Sequence, residues 1–145
     1  MDTSEQIKIW QHMRSDSQSV TEGLSALAAG ALTEAATFGA LAGRTQGPPR
    51  KILLQLQEEE LCHARTLKGF FQILTGTPMN ITAIPPSQDK MDVALRKCYG
   101  KALKALRAYE SRLSQGESGA IFACLAAKKR EHCCKIAELM GLLGV

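Results

Sequence analysis

Residues 52–74 and 121–143 read as two copies of one helical segment, and this repetition constrains the chain more than any other feature. In a gapless alignment Ile52 pairs with Ile121, Leu56 with Leu125, His63 with His132, Leu67 with Ile136 and Phe70 with Leu139. The apolar positions recur three or four residues apart, the spacing of one buried helix face. The copies differ where a metal would bind. Glu60 and His63 form an E-x-x-H unit whose two side chains share a helix face. In the second copy the residue three before His132 is Lys129.

The 145 residues fit one domain, 1–145, large enough to bury a core without disulfides or metals. Ala and Leu recur while aromatic residues make up 5%, a composition suited to closely packed helices, so the expected fold class is all-α. Cys62, Cys98, Cys124, Cys133 and Cys134 form an odd set without a C-x-x-C pair, which points to reduced thiols rather than disulfides or a zinc knuckle. Asp2 and Glu5 at the start do not form a basic leader, and the expected compartment is cytoplasmic. The stretch from Gly23 to Gly43 is almost free of charge, but it is rich in Ala and Gly and holds Glu34. It reads as a core helix rather than a membrane span.

Proline and glycine divide the chain into long helical stretches. Ser4 to Arg14 suits a short leading helix, inside an N-terminal extension over 1–18. Ser19 to Glu22 has the form of a capping box, which predicts a first helix from there to Leu41, closed by Gly43. Pro48 and Pro49 suit the first turn of a second helix reaching Leu74. Residues 75–88 carry Pro78, Pro85 and Pro86 and form the one long connection. Asp89 is the expected cap of a third helix running to Leu113 or Ser114, and Gly116 separates it from a fourth, Ser118 to Leu143.

About fourteen extended residues span roughly 45 Å, enough for the connection to travel the length of a bundle. The third helix can then start at the end where the second started, giving two helical hairpins joined by a long crossover. Duplicated hairpins packed about a pseudo-two-fold place equivalent residues face to face. Ala31 and Leu32 match Ala102 and Leu103, Phe38 matches Tyr109, and on that register Glu34 faces Ala105. The first hairpin therefore offers Glu34, Glu60 and His63; the second offers Ala105, Lys129 and His132.

A helical Glu, then E-x-x-H, then a crossover and a second such hairpin resembles the ferritin-like superfamily, nearest to the rubrerythrin type. The resemblance covers about Leu24 to Leu143 and rests on A-L-T-E-A-A-T-F around Glu34, E-E-E-L-C-H around His63 and K-R-E-H around His132. It implies a ferritin-like four-helix bundle in which two Glu and two E-x-x-H units hold a pair of iron or manganese ions. Two departures stand out: Ala105 and Lys129 occupy positions where the family has carboxylates. There is also no cysteine pair for the family's electron-donating iron centre.

Four inward carboxylates match two divalent cations, whereas Glu34 and Glu60 with Lys129 balance at most about one. The resemblance with its departures thus predicts a half-site: one iron or manganese at Glu34, Glu60 and His63, or no metal. In the latter case the Lys129 ammonium, a compact cation with three donors, stands in the second metal's place on Glu60 or Glu34. His132, lacking its carboxylate, is expected to be a hydrogen-bonded core histidine. Glu110 and Glu131 each lie about 100° around the helix from a neighbour at the family position, so neither reaches inward without a bulge.

The remaining residues have plainer readings. Glu58 and Glu59 are expected to be solvated or paired with basic neighbours, and His12 to lie outside the repeat on the surface or in packing. Tyr109 and Phe38 are expected to pack in the core, with Tyr109 also able to donate into the polar centre. The net charge of +4 includes Lys97, Lys101 and Lys104 on the third helix and Lys128, Arg130 and Lys135 on the fourth. Acidic neighbours and the lack of interleaved aromatics favour a solvated face over a nucleic-acid surface.

Three function classes follow: an incomplete ferritin-like site without full di-iron redox activity, a working di-iron or di-manganese oxidoreductase reducing peroxide or oxidising iron, and a helical binding or scaffold module. The missing carboxylates favour the first. The apolar residues Leu53, Leu54, Phe70, Phe71 and Phe122 supply an expected homodimer face.

Overall fold

The computed structural model describes residues 2–8 and 21–145, and the regular structure among them is helical. Four long helices follow in order: α1, Leu24–Ala42; α2, Gly47–Thr75; α3, Met91–Glu110; and α4, Gly119–Leu143, preceded by a 3-10 turn at Gly116–Ser118. Residues 3–8 are helical, whereas Trp10, His12, Met13, Arg14 and Ser19 lie outside the described residues. The Ser19 end of the expected capping box lies outside the described residues, among which Thr21 is helical. Glu22 and Gly23 form a turn, with Gly23 at φ 80°, and α1 begins after it. Only glycine enters that left-handed region without steric cost.

The other boundaries follow from local chemistry. Pro48 and Pro49 occupy the first turn of α2, where their missing amides leave no hydrogen bond unmade. Gly76, at φ 74°, closes the same helix in the left-handed conformation. Asp89 does not cap α3. Its carboxylate takes the Lys97 ammonium at 2.8 Å, its amide is bonded to Ser87, and Lys90 becomes the cap residue. The helix ends at Glu110 rather than Leu113, with Ser111 as its C-cap.

Helix α1 packs on α2, α3 on α4, and the two pairs meet through α2 on α4 and α1 on α3. The apolar faces form two clusters. One gathers Phe38, Leu53, Leu56, Leu95, Ala102, Ile136 and Leu139. The other gathers Leu24, Leu67, Phe70, Tyr109, Phe122 and Leu125.

Along α1 and α4 the chain passes from the second cluster to the first, and along α2 and α3 from the first to the second. Helix α3 therefore begins beside the start of α2. The connection 76–90 makes that return, with Met79 and Ile81 packing on the second cluster on the way.

Leu53, Phe70 and Phe122 are buried in these clusters, so they do not contribute to a surface for a second copy; Leu54 alone of the expected set is exposed. By length and composition α1 would suit a membrane crossing, with a mean hydropathy of 1.3. Its buried face instead packs within the helical assembly, and Glu34 sits on that face.

Candidate functional site

Between the two apolar clusters lies one polar layer. On α2 it falls between Leu56 and Leu67, on α4 between Leu125 and Ile136, and on α1 between Ala31 and Phe38. Glu34, Glu60, His63, Lys129 and His132 are all buried there. Ala105 and Tyr109 supply the fourth wall from α3, and Tyr109 is stacked on Phe122 with ring centroids 6.5 Å apart. The helical period explains the layer, since each of these residues lies on the face that also carries the core leucines.

Glu60 is the hub. It is wholly inaccessible to solvent, and its Oε1 accepts hydrogen bonds from the Lys129 ammonium and from His132 Nδ1, the latter at 2.9 Å. His132 extends the chain, because its Nε2 lies 2.7 Å from Glu59 Oε2. A histidine facing a carboxylate on each nitrogen satisfies both only as the imidazolium, with both nitrogens donating. Glu59 in turn has the Lys135 and Lys128 ammoniums at 3.7 and 3.9 Å.

The electrostatics follow this wiring. Burial alone would raise the Glu60 carboxyl, but the bond from His132, the nearby His63 and the Lys129 charge hold it far below the usual range. Glu59 is also held low, again against burial, by its bond to His132 with Lys135 and Lys128 behind it. The Lys129 ammonium on Glu60, and the Lys135 and Lys128 ammoniums near Glu59, give both carboxylates cationic partners. Buried charges are tolerated on that condition.

The histidines of the two repeats lie face to face, with ring centroids 5.2 Å apart and planes inclined by 23°. His63 Nδ1 stands 3.6 Å from Glu60 Oε1, beyond hydrogen-bond reach, and has no partner. Glu60, His63 and His132 nevertheless form a buried group with ligand atoms all within 4.8 Å of one another, a donor set able to hold one metal ion. In this geometry the Lys129 ammonium occupies the same Glu60 oxygen.

Glu34 lies outside that group. Neither of its carboxylate oxygens has a hydrogen-bond partner, and Lys101 Nζ stands 4.0 Å from Oε1. Burial pushes its pKa up to about 7, with Lys129 and Lys101 opposing and Glu60 reinforcing the rise. Of the expected residues the structure brings Glu60, His63 and His132 together, while Glu34 lines the adjoining cavity.

Glu110 pairs with Arg130 at 3.8 Å and Glu131 with Lys128 at 3.3 Å, both at the surface, so neither supplies an inward carboxylate. The five cysteines are free; burial pushes Cys98 up to about 12, which leaves it a packing group.

Glu59 is the site residue that sequence reasoning missed. Glu58 and Glu59 read as solvated or paired with basic neighbours, and they do pair, Glu58 with Arg65 and Glu59 with Lys128 and Lys135. The bond between Glu59 and His132 has no counterpart in that reading. A signal was present in the repeat register, where Glu59 aligns with Lys128 one residue before the Glu60 and Lys129 positions. No protein-family model, curated protein or solved structure matches this chain.

Proposed function

We propose that the chain is a ferritin-like, rubrerythrin-type bundle protein whose di-metal site has been converted to an ion-paired core, without full di-iron redox activity. The observation that carries this reading is the Lys129 ammonium on Glu60, with His132 joining Glu60 to Glu59. On this reading the Lys129 ammonium takes the part of one metal in balancing Glu60. A two-metal oxidant also needs bridging carboxylates between the ions. Ala105 and Lys129 remove two of the four, and Glu110 and Glu131, paired at the surface, do not replace them.

A second reading, favoured by the closeness of Glu60, His63 and His132, is a single iron or manganese ion that displaces the Lys129 ammonium. Metal analysis of wild type beside an Ala105→Glu, Lys129→Glu double variant tests the proposal. Wild type should carry no more than one equivalent, and the variant should gain metal. Equal content in both, or two equivalents in wild type with peroxide-reducing or iron-oxidising activity, would overturn it.

A further inference from the structure

A cavity of about 290 Å³ opens between α1 and α3 beside Ala105. It lies near the lower end of small-molecule pockets, which hold roughly 300–1,000 Å³. Its walls are mostly small or apolar: Leu27, Gly30 and Ala31 from α1, and Ala105 and Ala108 from α3. Gly30 is exposed, and a methyl group built on it would meet no atom within 4 Å, so the α1 side of the cavity is open.

The deep end carries unsatisfied chemistry. Glu34, only 4% exposed, has two orphaned oxygens, and Glu60, which also lines the cavity, has an orphaned Oε2. All three orphans are acceptors on carboxylates. Buried acceptors of this kind are unfavourable unless a donor reaches them. The protein's own cations do not fill the need: Lys129 is committed to Glu60 Oε1, and Lys101 stops 4.0 Å from Glu34 with a side chain 57% exposed.

We propose that this cavity binds a small, largely apolar primary amine, its ammonium donating to Glu34 and its hydrocarbon lying along the Ala105 and Gly30 walls. The ligand ammonium takes the position toward which Lys101 already reaches, and the flexible Lys101 stem swings into solvent. The Lys129–Glu60 pair next to it shows that this layer accepts a buried alkylammonium on a glutamate. An organic acid fits less well. The lysines at the mouth, Lys101 and Lys104, are exposed and hydrated, whereas the shortage inside is of donors.

The test is titration of the full chain with n-butylamine, n-butanol and butyrate at about pH 8, below the pKa of an alkylammonium, followed by calorimetry and amide chemical shifts. Butylamine should bind saturably at one per chain and more tightly than the other two. Glu34→Gln should weaken it at least about tenfold, the loss expected for a hydrogen bond to a charged group. Ala105→Leu, which fills the cavity beside Glu34 and should keep the helical circular dichroism spectrum, should weaken it comparably. Tighter binding of butyrate, unsaturable binding of butylamine, or undiminished binding to either variant would overturn the proposal.

Discussion

The Lys129 ammonium is hydrogen-bonded to Glu60 across the α2–α4 contact, with side chains 3% and 0% exposed. Such a pair repays its desolvation only while both members are present, because removing one leaves a bare buried charge. Lys129→Met should therefore destabilise the protein by about 3 kcal/mol in denaturant titrations run with a chelator. Adding Glu60→Gln should recover part of that loss, since a neutral amide needs no counter-cation. A loss below about 1 kcal/mol in the single variant would mean that His132 alone neutralises Glu60.

Removing the Lys129 ammonium takes one competitor off Glu60 Oε1. In Lys129→Met a metal ion can gather Glu60, His63 and His132, already within 4.8 Å of one another, by displacing the His132–Glu60 hydrogen bond. One Co(II) per chain should bind with the visible absorption of a low-coordinate N/O site. Adding His63→Ala should abolish the spectrum. Equally tight cobalt binding by wild type would show that Lys129 does not compete for the site.

Gly119 allows the α3–α4 turn to close. A Cβ there would collide with the backbone carbonyl of Leu113, which cannot move without displacing the turn. Gly39 looks similar by sequence, but a Cβ there meets only the amide end of the flexible Gln57 side chain. Gly119→Ala should cost about 1–3 kcal/mol as an overpacked contact. Gly39→Ala should stay within about 1 kcal/mol of wild type, helped by the better helix propensity of Ala. Equal midpoints in urea for the two variants would contradict the difference.

The legible part of this molecule is what one helix period can carry. Pairing His63 with His132 through the repeat anticipates two imidazoles stacked at the centre, and the Pro48-Pro49 and Gly76 signals bound α2 closely. What escaped depends on partners from other helices. Asp89 has the sequence of a cap, but Lys97 and Ser87 compete for it. Glu59 sits at the edge of its helix face and becomes part of the site only because His132 reaches across from α4. Glu34 has the spacing of a metal ligand, but its distance from Glu60 and His63 is set by how α1 packs, which no local pattern encodes.

Glu34 gives the pH dependence an unusual sign. Burial first, with help from Glu60 and against Lys129 and Lys101, lifts its pKa from the ordinary 4.5 to about 7. A carboxyl raised on folding holds its proton more tightly in the native state than in the unfolded chain. Its contribution to stability is thus complete below about pH 4.5, declines as the pH rises toward 7 and is flat above that. The shift corresponds to roughly 3 kcal/mol across the window. Glu34→Gln removes the titration while keeping the shape, so its stability advantage over wild type should grow between pH 4.5 and 7. Glu60 is held low and works in the opposite direction, but its contribution is lost only below pH 4.5, as acid protonates it. Urea denaturation of both proteins at half-unit pH steps checks the sign. A constant difference across the window would mean that Glu34 has found a cation or a donor in solution.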